Sequence, residues 1–414
     1  MIKYIYKFLY VLPIITMIGC TYKGNKALNS FTFKTADNAS VLPLSQESGL
    51  KIKVEEPLPG IKASELVESY KYIPLETRNE SLIGYIRKVW FYSDRIYVRD
   101  VETNMIYIFN QSGKYLNKIG QRGNGPGEFS DLLYGMTIDP FANRLLVYDQ
   151  GKRKMNYFTL DGAYLFDRDV PMILDSNFSV MSPNRILVSN HKNIENDHLG
   201  KWDSYRIIQL DSLLQIAGGG YEYDDNVHAR YLSPVFPPSG ENILYNPMFS
   251  NDFYSVSSAG LNLKYSLDYS RFENVIDTGY VNKLNNAGDI FDYMESTTYV
   301  LPECIETSSF FWFKTHSQNN SNEFYTYYDK GSKLNVSFRK VIQDVDFIYD
   351  YTKAYCDDYI VGIVDVPTLR ALYDACKKNL VKGKKKNMEM IEKMKDDDNS
   401  VLVLFKLKPL KRYE

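Results

Sequence analysis

Residues 95–116, RIYVRDVETNMIYIFNQSGKYL, are matched without a gap 49 positions later by residues 144–165, RLLVYDQGKRKMNYFTLDGAYL. Val98 meets Val147, Asp100 meets Asp149, Phe109 meets Phe158, Gly113 meets Gly162, Tyr115 meets Tyr164 and Leu116 meets Leu165. Each copy reads as strand, polar loop, strand, glycine turn, strand, and an apolar run precedes each, at 83–91 and 132–138. Four short strands per repeat at this period make a propeller blade, a unit that cannot bury its own two faces and must stack on further copies.

Working outward, weaker copies open at NRILVSN (184–190) with strands at 205–210 and 213–217, then at 253–267 and at 310–338. The stretches 347–351, 355–364 and 401–407 supply only three strands of a sixth unit. The missing strand stands at the other end, in YKYIPL (70–75), ahead of the first repeat. Pairing the two ends closes a ring and removes the free edges that a linear stack would expose. The expected fold is therefore all-β, a six-bladed β-propeller of four-stranded antiparallel blades closed by the N-terminal strand. The composition agrees: 35 Tyr and 22 Phe in 414 residues favour pleated sheets, and 44% hydrophobic content suffices for a large core. A net charge of −2 offers no basic field for a phosphate backbone, so no nucleic-acid partner is expected.

The N-terminus carries an address. Lys3 and Lys7 precede an apolar run at 8–18, about eleven residues and too short to span a bilayer. The run ends in Met17-Ile18-Gly19-Cys20, which resembles the lipobox of bacterial lipoproteins. That resemblance implies a signal peptide at 1–19, lipidation of Cys20 and membrane attachment through the lipid. With no Asp after Cys20, it further implies the outer membrane, facing the periplasm. Residues 20–49, rich in Ser, Thr, Asn and Lys without a sustained period, read as a flexible tether, and 50–414 as the propeller. Cys304, Cys356 and Cys376 are odd in number and read as small core hydrophobes.

The glycine loop QRGNGPGEF (121–129), with Asp139-Pro140 and the Asn143 turn behind it, resembles the NHL-type β-propeller signature. IPLET (73–77) and DNSVLVL (398–404) resemble the closing strand and C-terminal motif of the lipid-anchored six-bladed propellers of Bacteroidetes. This likeness implies a fold, not an activity, because propellers host many unrelated sites.

Sorting connections by face narrows the search for a site. First-to-second and third-to-fourth turns are short throughout, whereas the long insertions at 191–204, 218–242, 268–299 and 365–399 all fall on the opposite face. The last reads as helical, with Asp365 as cap, Pro367 in the first turn, and Leu369, Leu372, Tyr373, Cys376 and Leu380 at helical spacing. The long-loop face is thus the expected binding side. Its candidate binding residues are Tyr221, Tyr223, His228, Arg230 and Tyr231, a dense mix of aromatic and charged groups suited to sugar stacking or peptide contact, together with Trp202 and Arg122. His191, His198, His228 and His316 show no metal-ligand spacing, and no helix signal follows Gly123, Gly125 and Gly127, so no metal and no cofactor is expected. No catalytic motif stands out. A binding module for a glycan, peptide or envelope protein is the leading expectation, and a channel-mouth lyase or hydrolase, with or without a metal, is the alternative.

Overall fold

In the computed structural model the two aligned stretches fold as the second to fourth strands of consecutive blades. The structure describes residues 33–411 apart from 46, 131–132, 175–177, 191–195, 224–242, 248, 282, 285–286 and 319–322. Blade one is Ile86–Tyr92, Arg95–Asp100, Met105–Asn110 and Tyr115–Ile119, and blade two is Leu133–Asp139, Arg144–Asp149, Lys154–Thr159 and Tyr164–Asp169. The 49-residue period extends to the register itself. Val98 pairs Tyr107 as Val147 pairs Asn156, and a bulge precedes the fourth strand at Ile108/Phe109 and again at Tyr157/Phe158.

Successive side chains of a strand point to opposite faces, and in this ring each face of a blade meets a neighbour. Ile96, Val98 and Phe109 pack against Ile363, Leu402 and Leu404 of blade six, while Tyr97, Ile106 and Ile108 pack against Leu145, Val147 and Phe158 of blade two. That two-sided burial is why the strands read as nearly unbroken apolar runs. Six such clusters occur, one at each junction between blades, which fixes a closed ring of six.

Closure follows the expected pairing. Val67–Pro74 runs antiparallel to Val401–Leu407, from Pro74 opposite Val401 to Val67 opposite Leu407. Asn399 fastens the seam: its Oδ1 accepts from the Ile83 amide at 2.9 Å, and its Nδ2 donates to the Glu76 carbonyl at 3.0 Å and the Ser81 carbonyl at 2.7 Å.

The expected tether is a correction. Thr35–Leu42 adds to blade three as a fifth strand, parallel to Ile216–Glu222. The chain then lays Leu50–Lys53 parallel along Gly260–Asp268 of blade four, bridges Leu58 to Phe338 of blade five, and pairs Ile61–Lys62 with Val341–Ile342 before entering blade six. A strap thus covers the outer edges of blades three to five. It buries Leu42, Ile52, Val54, Ala63 and Leu66. Thr35–Leu42 escaped the sequence reading because only Leu42 in that strand is buried; the rest is a polar edge strand with no apolar alternation.

Blade four shows Ile243–Tyr245, Asp252–Ser257 and Gly260–Asp268. Gly260 has φ +147, and a Cβ there would sit 2.5 Å from the Pro43 carbonyl at the end of the strap on blade three. Gly113 of blade one, φ +84, likewise abuts the Pro74 carbonyl of blade six. The shared docking marks 258–259 as a third-to-fourth turn, so the three described strands of blade four are its outer ones.

Candidate functional site

The face asymmetry is visible in the connections. On one side the turns 93–94, 111–114, 140–143, 160–163, 183–184, 211–215, 258–259, 307–309, 330–333 and 357–358 are all brief. On the other lie the connections from Arg185–Ser189 to Tyr205–Leu210, from Gly260–Asp268 to Tyr299–Glu306 and from Tyr359–Val364 to Val401–Leu407. The expected insertion at 218–242 falls from 224 onward outside the described residues, and its start, 218–222, is strand. The insertion at 269–298 holds the helices Thr278–Val281 and Ala287–Ser296 over a small core of their own around Ile276, Val281, Ile290 and Met294. The blade-six insertion holds Val366–Lys377 and Lys385–Lys393. Asp365 caps the first, accepting from the Thr368 amide at 2.7 Å, with Pro367 in its first turn. Leu369, Leu372 and Cys376 face inward, but the helix ends before Leu380, which is exposed.

The candidate residues separate when placed in this frame. Trp202 is 3% exposed and belongs to the core between blades two and three. Tyr223 is 9% exposed, and its hydroxyl donates to the Asn190 carbonyl at 2.5 Å. Both correct the expectation of ligand-facing rings: a large ring at the end of a blade is worth more as a cover for the sheet end than as an exposed surface. Tyr221, with φ +58, packs on the rings of Tyr245 and Tyr254 at 5.7 and 5.5 Å, and burial raises its phenol above the ordinary range while Arg206 opposes the rise. Arg122 is exposed in the glycine loop, where it bridges to Phe129. His228, Arg230 and Tyr231 lie outside the described residues, as does Cys20.

Arg206 is the residue that sequence reasoning missed. Its guanidinium lies over the Tyr223 ring at 4.5 Å and the Tyr221 ring at 5.8 Å, a cation–π stack at the end of Ile216–Glu222. Its Nε is buried with no hydrogen-bond partner among the described residues. Only the strand pairing of Tyr205–Leu210 with Ile216–Glu222 brings it beside Tyr221, so no local motif announces it.

A second feature is a groove of about 550 Å³ between the seam of the ring and the blade-six insertion. Pro74, Leu75, Glu76 and Thr77 form one wall, and Lys386, Glu389, Met390, Lys393, Met394 and Asp398 the other. The apolar floor with charges of both signs at the rim suits a peptide or a polar small molecule. Glu76 is held below the ordinary carboxylate range by a hydrogen bond from Arg78.

On the short-turn side Glu306 is buried between blades four and five. Its carboxylate accepts from Lys264 at 2.8 Å, Lys330 at 2.7 Å and the Tyr265 hydroxyl at 2.5 Å. Burial alone would raise its pKa, but these donors outweigh it and hold the carboxyl below its ordinary range. This cluster joins two blades. Among the described residues, no three His, Cys, Asp or Glu side chains converge as a metal site, and no helix is long and apolar enough to cross a membrane.

The model of a domain of unknown function, DUF4934, matches residues 50–406. The chain belongs to the DUF4934 family. Among solved structures, a protein of Bacteroides fragilis described as exported superposes with a TM-score of 0.69 at 20% identity, over 87% of this chain and 100% of that one. A member of the DUF4221 family from Bacteroides vulgatus superposes with a TM-score of 0.51 at 11% identity, over 84% and 99%. At these identities the likeness establishes the propeller alone. No curated protein matches the DUF4934 chain by sequence.

Proposed function

We propose that this DUF4934 propeller is a lipid-anchored module of the cell envelope, attached through Cys20 to the outer membrane and facing the periplasm. Its long-loop face binds a glycan, peptide or envelope protein. The observation that carries the reading is that, among the described residues, the long connections fall on one face of a ring whose other face has brief turns. Ordering a loop costs about 1–2 kcal/mol per residue in backbone entropy, so elaboration confined to one side marks the side under selection for contact. The Arg206 stack and the groove beside the blade-six helices give that face two places for such contact, and the exported Bacteroides fragilis neighbour is in keeping with an envelope address.

The test is a capture experiment from envelope extract with the soluble chain. Arg206→Ala and Met390→Asp on the long-loop face should each reduce recovery of the bound component, and lengthening the turn at Asp161-Gly162 should leave it unchanged. The reverse pattern would move function to the short-turn face. For the anchor, Cys20→Ser should shift the full chain from the membrane to the soluble fraction; unchanged fractionation would refute lipidation there.

A further inference from the structure

Between Asp374 and Glu389 the chain carries six lysines, Lys377, Lys378, Lys382, Lys384, Lys385 and Lys386, and no carboxylate, in a protein whose net charge is −2. The run forms the end of the first blade-six helix, the connecting turn and the start of the second helix, and all six lysines are exposed. At the turn Asn379 takes φ +56, and Leu380 beside it is 74% exposed, the most exposed large hydrophobic among the described residues.

The tip is firmly held. Asp346, buried beneath it, accepts from the Lys384 amide at 2.9 Å, the Asn387 side chain at 2.7 Å and the Tyr70 hydroxyl at 2.5 Å. Lys384 lies over the Tyr70 ring at 3.8 Å and Lys377 over the Tyr373 ring at 4.3 Å, while Lys385 stands 3.8 Å from Glu389. Lys378, Lys382 and Lys386 form no ion pair among the described residues. The fold thus fixes a concentrated positive charge around a protruding apolar side chain, where solvation alone would need neither the clustering nor the leucine.

We propose that this tip docks on an anionic lipid surface, with the lysines at the headgroup phosphates and Leu380 entering the acyl boundary. A cluster of this size is enough for electrostatic attraction to anionic bilayers, and an apolar residue set among the cations is the signature of interfacial binding. A soluble polyanion would be met by the charges alone and would gain nothing from Leu380. The docking is independent of Cys20.

The test uses the chain from residue 21, which retains every described residue and lacks the lipidation site, in co-sedimentation with phosphatidylglycerol vesicles, phosphatidylcholine vesicles and soluble dextran sulfate. Binding is expected to the anionic vesicles, weak or absent to the zwitterionic ones, and largely released at about 1 M salt. Lys378→Gln, Lys382→Gln and Lys385→Gln together, all outside the groove lining, should weaken vesicle binding roughly a hundredfold, at about fivefold per charge. Leu380→Ser should weaken vesicle binding about tenfold and leave dextran sulfate binding unchanged. These positions are exposed, so the melting temperature should not move, and a variant that melts early is replaced by its single-lysine form. Equal binding to both vesicle types, wild-type affinity in the triple variant, or indifference of vesicle binding to Leu380→Ser would overturn the proposal; the last outcome would make the tip a polyanion site.

Discussion

Glu306 shows how a single buried charge joins two blades and what it costs to keep. Lys264 comes from blade four, Lys330 from a turn of blade five, and Tyr265 completes the shell. Because the folded carboxyl titrates below its unfolded value, the cluster stabilises fully above the unfolded glutamate range, about 4.3, and loses that contribution as pH falls through the lower folded value. Glu306→Gln should therefore cost about 1–3 kcal/mol at neutral pH, since it removes the charged acceptor of the part-exposed Lys264 and Lys330. It should also flatten the acid limb of a plot of melting temperature against pH. A variant whose melting temperature falls with acid as steeply as wild type would show that other carboxylates set that limb. Residue roles of this kind are hardly legible in sequence. Tyr223 and Trp202 were recognisable as large rings on a long connection, but whether a ring faces a ligand or caps a sheet depends on the neighbouring blade, as the Asn190 contact and the core between blades two and three decide here.

Strands were legible in the aligned copies, where two-sided burial writes itself as an apolar run. The short buried strands Phe178–Ser182 and Ile243–Tyr245 were not read, and the strands expected at 213–217 and 347–351 are Ile216–Glu222 and Tyr351–Cys356. Arg144–Asp149, buried along nearly all its length, opens the second aligned copy. The strap was not: Thr35–Leu42 gains its place from backbone pairing on the outside of blade three, and backbone hydrogen bonds leave no mark on side-chain periodicity. Its position changes what truncation should do. Removing residues 21–32 should leave the melting temperature in place. Removing 21–49 takes away the paired edge strand and the buried Leu42, whose apolar contacts alone are worth about 2–5 kcal/mol, and bares the Ile216–Glu222 edge. The expected result is a lower denaturation midpoint together with concentration-dependent aggregation. If both truncations melt alike, the strap contributes nothing and its pairing is incidental.

At the scale of the whole molecule, a ring of six blades stands or falls at one seam, because five junctions are made by consecutive chain and the sixth depends on Val67–Pro74 meeting Val401–Leu407. The paired residues are more than three hundred positions apart, so in the unfolded chain they rarely meet, and the loop that closes them carries a large entropy cost. Locking the seam covalently should remove that cost from folding. Ser69 and Lys406 face each other across the seam, neither of them in the core. Ser69→Cys with Lys406→Cys should form a disulfide that stabilises the oxidised protein by about 5 kcal/mol at this loop length, less whatever strain the bridge introduces. The gain should vanish on reduction, and each single-cysteine variant should melt like wild type, which also controls for exchange with Cys304, Cys356 and Cys376. A ring that opens elsewhere first, for instance by shedding blade four, would keep the equilibrium gain but unfold at the same rate with the bridge intact. The oxidised-to-reduced ratio of unfolding rates therefore reads whether the seam is the element whose separation begins unfolding.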